Sequence, residues 1–306
     1  MAKKFDLTDN VNENQENEGN ANSFVPPVTP SFTSSLTVEE EQDPNKINVV
    51  ISDTSPIIIL FGARSSGKTM TLIRLTRWLK KHGYKVEPDR NFRPSNSIRY
   101  KQMCDGFDEA INNDYTAGRT QALDFMLVKV MNKYGEPICQ ILEAHGEHYF
   151  DDMHPNQPFP RYINTICTID NPKTWMFIVE RDWLDEQDRR NYANKIIKMQ
   201  SQIEGRDRVI FTCHKADLHP ALFSAGQPNR EQFFRDIKNQ YQGIFSKYEN
   251  QNPITKLWRK YNFDFVIFSA GLFNDTADGG QSYTQSNDRY PAELWQSILK
   301  TVKGGW

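Results

Sequence analysis

The chain has 306 residues, 38% of them apolar and 25% charged, with a net charge of −2. That is ordinary globular composition, enough for one large domain or two small ones, and it gives no general case for nucleic-acid binding. No apolar run approaches membrane-spanning length, and Met1 to Phe5 lead into polar residues rather than a signal peptide. The four cysteines, Cys104, Cys139, Cys167 and Cys213, have no paired spacing. Cys139 and Cys213 sit in apolar runs and read as buried thiols. A reducing, cytoplasmic setting is expected.

Residues 1–45 are rich in Asn, Glu, Ser and Pro and hold nine acids against two lysines, a charge of −7 that leaves +5 on the remainder. Such a segment buries too little apolar surface to offset the entropy of ordering, so a disordered acidic tail is expected. The mildly basic body suits a polyanionic ligand. From residue 48 apolar strands alternate with amphipathic helices. Ile57 to Phe61 is a continuous apolar run, the mark of a strand buried on both faces. Leu72, Leu75 and Leu79 recur at helical spacing, Lys80 and Lys81 fill the last turn and Gly83 caps it, predicting a helix over 67–82. Ala122 to Met131 and Pro137 to Leu142 flank Asn132 to Glu136 and read as a hairpin.

Beyond the hairpin, Trp175 to Val179 reads as a strand. A helix follows with Tyr192, Ile196, Met199 and Ile203 on one face. Val209 to Thr212 is a strand, and the next helix carries Phe233, Phe234, Ile237, Tyr241 and Ile244. Phe263 to Phe268 is a strand, and a last helix holds Leu294, Trp295, Ile298 and Val302. The alternation predicts an α/β fold, a three-layer sandwich whose mostly parallel sheet has one antiparallel hairpin strand. The stretches 83–118 and 150–174 are longer than a minimal domain of this kind needs and read as insertions.

Between the first strand and helix, Gly62-Ala63-Arg64-Ser65-Ser66-Gly67-Lys68-Thr69 matches the phosphate-loop pattern G-x-x-x-x-G-K-[ST] in full. The spacing has a physical reason. Backbone N–H groups of the loop wrap an anion, glycines permit the dihedrals and the close approach, and the helix N-terminus adds partial positive charge. Lys68 is expected to neutralise phosphate charge and the Thr69 hydroxyl to ligate Mg²⁺, a hard cation that prefers oxygen. Met70 completes the expected binding set on the first helical turn.

Three further motifs stand at predicted strand ends, where ligands bind in such sheets. In Glu143-Ala144-His145-Gly146 the acid can reach Mg²⁺ through water and the Gly146 N–H can meet a γ-phosphate. In His214-Lys215-Ala216-Asp217 the aspartate can accept from guanine N1–H and N2–H₂, a donor pair that adenine lacks, and the Lys215 stem can lie over the base. The bland alternative for Asp217 is a helix N-cap. In Ser269-Ala270-Gly271 a backbone N–H can donate to guanine O6. His145, His148, Asp151, Asp152 and His154 crowd together without zinc spacing and read as a polar loop.

On these motifs, over roughly residues 48–303, the sequence resembles the P-loop GTPases of the translation-factor and Ras-like (TRAFAC) class. Its divergent motifs and tail also look similar to bacterial conflict-associated GTPases. That class has Asp-x-x-Gly where this chain has Glu143 to Gly146, and Asn/Thr-Lys-x-Asp where it has His214 to Asp217. The resemblance implies Ras-like topology, GTP or GDP as ligand with Mg²⁺, and a switch read by an effector through the switch loops or the acidic tail; the departures at Glu147 and Arg64 point to slow hydrolysis. It also implies a switch threonine before the hairpin: Thr120 is best placed and Thr116 is the rival. Glu147, after the motif glycine, and His148 are candidates to position the attacking water, and Arg64 could lend charge to the transition state. Two other readings stay open: an ATPase using Glu180 or Asp182 as its metal acid and Glu186 as base, and a non-catalytic scaffold that holds nucleotide structurally.

Overall fold

The computed structural model describes residues 36–93, 98–112, 123, 125–183, 185–275 and 281–304. It opens with α1 (Val38–Gln42), closed by a reciprocal capping box between Thr37 and Glu40. A 3₁₀ turn, Pro44–Lys46, follows. The composition assigned these residues to the tail. Instead Glu40 pairs with the buried guanidinium of Arg93, Arg99 Nη1 donates to the Leu36 carbonyl at 2.5 Å, and residues 36–45 belong to the ordered body.

Next come β1 (Ile57–Phe61) and α2 (Lys68–Lys81). All five residues of β1 are buried, because the strand is flanked by two others and covered on both faces. Helix α2 buries Leu72, Leu75 and Leu79, as the periodicity predicts. The stretch expected as a long insertion contains β2 (Lys85–Pro88) and α3 (Ile98–Asn112). The hairpin is β3 (Met126–Met131) and β4 (Pro137–Glu143). Its turn is nucleated by the Asn132 carboxamide oxygen, which accepts from the N–H groups of Tyr134 and Glu136. The strand thus starts at Met126, four residues after the Ala122 expected, and Ala122 itself lies outside the described residues.

A single turn, α4 (Gly146–Tyr149), and α5 (Arg161–Thr168) precede β5 (Lys173–Glu180). Then come α6 (Glu186–Gln200), β6 (Arg208–His214), and the two-residue strands β7 (Phe223–Ser224) and β8 (Gln227–Pro228). Helix α7 (Arg230–Gln240) ends before Tyr241 and Ile244, although the apolar pattern continues through them. Those two side chains are buried from a turn and not from the helix, and Gly243 there has a positive φ of 86°. Last are α8 (Pro253–Trp258), β9 (Asp264–Ile267), the hairpin β10 (Gly271–Asp275) with β11 (Gln281–Gln285), and α9 (Arg289–Val302).

Seven strands form one sheet in the order β2-β3-β4-β1-β5-β6-β9. Only β3 runs antiparallel to its neighbours. Beyond the extra edge strand β2, this is the Ras-like order. Side chains alternate across a strand, so residues three apart face opposite ways. Thr174 of β5 bonds Thr301 of α9 on one face. Phe177, on the other, packs on Phe61, which lies against Tyr192 of α6. Helix layers therefore cover both faces, and the C-terminal ends of β1, β4, β5, β6 and β9 emerge along one edge.

Candidate nucleotide-binding site

The phosphate loop leaves β1 at that edge and turns into α2 at Gly67, whose φ of 87° caps the helix in the left-handed region. A second constraint also requires glycine there. A Cβ on Gly67 would sit 2.5 to 2.9 Å from three atoms of the His214 ring. Lys68 is buried, and its ammonium donates to the carbonyls of Gly62 at 3.0 Å and Ala63 at 2.9 Å, inside the loop's own curve. Ser65, with a φ of 58°, turns the loop over. Ser66 Oγ is buried without a protein partner among the described residues, a polar atom suited to a bound anion. Met70 is half-buried against the core beneath the first turn.

Strand β4 pairs directly with β1, in register Leu60 to Glu143. That places Glu143, 1% exposed, at the start of α2, where the Thr69 hydroxyl donates to its Oε1. A hydroxyl that donates its proton to a carboxylate keeps its lone pairs for a cation. The pair is a hard-oxygen donor set that fits Mg²⁺. Among the described residues no three His, Cys, Asp or Glu side chains gather into a metal-ligand cluster.

Gly146 lies against the loop itself. A Cβ there would come within 2.3 Å of Arg64 N and 2.6 Å of Ala63 C. One residue on, Glu147 pairs with Arg64 Nη1 at 3.2 Å; the two side chains are 44% and 79% exposed. Two residues that the sequence offers separately as catalytic candidates are thus joined in one solvent-facing ion pair. His148 is buried, with Nδ1 against the Tyr162 hydroxyl at 2.9 Å. Burial, then the nearby His145, Lys68 and Arg93, lower its pKa to about 3, so it is neutral at physiological pH. A cavity of about 700 Å³ opens here, lined by Ser65, Lys68, Thr69, Glu143 and His148 on one side. Leu36, Glu41 and Gln42 of the α1 segment line it as well. The sequence reading missed that wall; its available signal was the Thr37-x-x-Glu40 capping box.

The remaining motifs lie farther along the same edge. His214 ends β6 with 4% of its surface exposed and both ring nitrogens unpartnered among the described residues. Burial, then the charge of Lys215, hold its pKa at about 3. Lys215 adopts a φ of 56° and its ammonium pairs with Glu180 at 2.7 Å. Asp217 is half-buried in the 3₁₀ turn Ala216–Leu218 and not at a helix N-cap. The Ala216 N–H donates to the Phe268 carbonyl at 3.3 Å, tying the His214–Asp217 loop to the one carrying Ser269, Ala270 and Gly271.

That second loop is braced by residues the sequence reading did not single out. Ser286 donates from Oγ to the Ser269 carbonyl at 2.6 Å and from N to the Ala270 carbonyl at 3.2 Å. Arg74, buried in α2, holds Ser286 through its carbonyl at 2.8 Å and Asp288 at 2.6 Å. Its position between Ile73 and Leu75 in an apolar helix is the one signal of a buried cation. Thr116 and Thr120 lie outside the described residues.

Of the ATPase candidates, Glu180 pairs with Lys215, Asp182 with Arg181 and His219, and Glu186 with Arg190 on the surface of α6. The acid that meets Thr69 is Glu143.

No protein-family model matches the chain, and no curated protein matches it. Among solved structures it is similar to the GTPase-like domain of S. cerevisiae Ski7, bound to GTP, with a TM-score of 0.39, 12% identity, and coverage of 88% of this chain and 53% of that one. This chain thus spans about half the length of the Ski7 chain. It is also similar to the signal recognition particle receptor SRb-GTP/SRX complex of Chaetomium thermophilum, with a TM-score of 0.39, 10% identity, and coverage of 80% and 99%. Both likenesses are distant. The chain's own strand order and strand–loop–helix junction define it as a P-loop α/β fold.

Proposed function

We propose that this protein binds GTP with Mg²⁺ and acts as a slow nucleotide-dependent switch. The observation that carries the reading is the contact between Thr69 and the buried carboxylate of Glu143 at the mouth of the phosphate loop. Thr69 would hold the cation directly and Glu143 through water, and Mg²⁺ when bound would neutralise β- and γ-phosphate charge. Lys68 and the loop N–H groups would bind the phosphates, with the Gly146 N–H beside them. Asp217 would read the guanine edge, helped by a backbone N–H from Ser269 to Gly271.

Slow turnover is supported by the groups beside Gly146. Glu147 is an anion at the phosphate side, partly neutralised by Arg64. His148, neutral and engaged with Tyr162, is a weak base. A Thr120 or Thr116 hydroxyl would complete the cation's shell only with a γ-phosphate present, and an effector would read the difference around residues 105–121 and 143–160, or be recruited by the acidic tail. No helix among the described residues is long and apolar enough to cross a membrane; a cytoplasmic setting is part of the proposal. The test is competition of GTP and ATP for the purified full chain with Mg²⁺, followed by phosphate release over hours. Equal affinity for the two nucleotides rules out Asp217 as a guanine reader. No release in that time favours the scaffold reading.

A further inference from the structure

Residues 249–261 form a protrusion with a pinned base and a bare tip. At the base, Glu249 and Tyr261 make an isolated antiparallel bridge. Asn250 N donates to the Lys260 carbonyl at 2.9 Å, and Asn262 N to the Tyr248 carbonyl at 2.8 Å. At the tip is α8, capped by the Asn252 side chain, which accepts from the N–H groups of Ile254 and Thr255. No residue of α8 is buried. Ile254, Leu257 and Trp258 are 69%, 84% and 87% exposed. Their spacing of three and four puts them on one side of the helix turn. Tertiary packing gives no reason for three large apolar side chains on an exposed turn; isolated exposed apolar residues are ordinary, a cluster of this kind is not.

The charge next to the cluster is mostly positive, with Glu249 at the base of the protrusion as the acid in the segment. Lys256, Arg259 and Lys260 are interleaved with it. Beside it lies a cavity of about 510 Å³ to which Arg230, Arg259, Lys260 and Lys300 contribute cations, over the aromatic rings of Phe234 and Phe263. Its one acid, Asp264, already faces Lys300 at 3.6 Å. Apolar side chains that include a tryptophan, ringed by lysines, match the chemistry of a bilayer surface: the aromatic and aliphatic groups enter the acyl boundary while the cations meet lipid phosphates. Three side chains on one turn are too few for a stable protein interface, which buries on the order of 1,200 Å² or more. They suffice for reversible membrane contact when cations add to them.

We propose that the α8 protrusion is a peripheral docking site for an anionic phospholipid membrane. This is independent of the nucleotide reading. The experiment is sedimentation of the full-length protein with vesicles of phosphatidylcholine alone, and of phosphatidylcholine mixed with phosphatidylserine. Wild type is expected to partition about tenfold or more in favour of the anionic vesicles, and to be released by high salt. Trp258→Ala with Leu257→Ala, and separately Lys256→Glu with Lys260→Glu, are each expected to cut that partitioning about tenfold. Because no residue of α8 is buried and Lys260 is itself exposed, all variants should keep the wild-type melting temperature. Equal sedimentation with neutral and anionic vesicles, or undiminished binding by either double variant, overturns the proposal. So does the absence of binding to any vesicle.

Discussion

Thr69 and Glu143 stand 74 residues apart in the chain, and the hydroxyl of the first donates to the carboxylate of the second. One sits on the first turn of α2 and the other at the end of β4, and the direct pairing of β4 with β1 brings them together. If this pair holds the cation, Glu143→Ala should lower GTP affinity about tenfold or more with Mg²⁺ present, the usual cost of removing an outer partner of a metal ligand. In EDTA the variant and wild type should bind alike. Titration calorimetry in the two buffers checks this, and an equal loss in both would mean that Glu143 only supports the fold.

The contact of Gly146 with the backbone of Arg64 and Ala63 leaves no room for a side chain. Gly146→Ala must push the phosphate loop or the start of α4 aside, at a cost of about 1–3 kcal/mol. A lower melting temperature with weakened triphosphate binding is expected. Unchanged values of both would show that the two loops separate freely.

Asp217 carries the choice of base. Asp217→Asn exchanges an acceptor for a donor, so preference should shift from guanine towards xanthine nucleotides, by a factor on the order of 10² or more for a buried hydrogen-bonding edge. Competition binding with GTP and XTP measures it. A variant that still prefers GTP identifies some other group as the reader.

Arg64 is largely exposed and Glu147 about half exposed, and an ion pair of that kind contributes about 0–1 kcal/mol to stability. Arg64→Ala should therefore leave the unfolding midpoint nearly unchanged while altering single-turnover hydrolysis. A large stability loss with unchanged hydrolysis would assign the arginine a structural role.

His148 and His214 are both buried with pKa values lowered to about 3. Between that value and the ordinary one near 6.5 the unfolded chain binds protons that the folded chain does not, so stability is full above pH 6.5 and falls as the pH drops. From pH 7 to pH 5 each histidine should remove about 2 kcal/mol. Urea unfolding midpoints across that range check the slope. His148→Phe should remove about half of it and leave the share of His214, and an unaltered slope in that variant would mean His148 is solvated and titrates normally.

The sequence determined by itself what local chemistry dictates. The run Ile57 to Phe61, the pattern from Gly62 to Thr69 and the spacing of Leu72, Leu75 and Leu79 each depend on neighbours in the chain, and strand, loop and helix stand where those patterns put them. Alternating apolar periods likewise carried the parallel sheet and its one antiparallel strand. Elements inside the stretches read as insertions escaped: α3 and α5, although Tyr100, Met103, Cys104 and Phe107, and Tyr162, Ile163, Ile166 and Cys167, recur at helical spacing, and β2. The short β10–β11 hairpin, without such a period, escaped as well. The tail's acidic composition hid α1, because a single capping box and one buried ion pair, Glu40 with Arg93, outweigh composition there.

Only the tertiary structure decided which distant residues meet. A sequence can offer Glu143 and Glu180 alike as metal acids. Strand order gives the first to Thr69 and the second to Lys215. It can offer Arg64, Glu147 and His148 as separate catalysts. Packing pairs the first two in solvent and buries the third against Tyr162. The reason is physical: hydrogen bonds, ion pairs and burial act through space over a few ångströms, and the chain path that sets those distances is chosen by the whole core at once, not by any local motif.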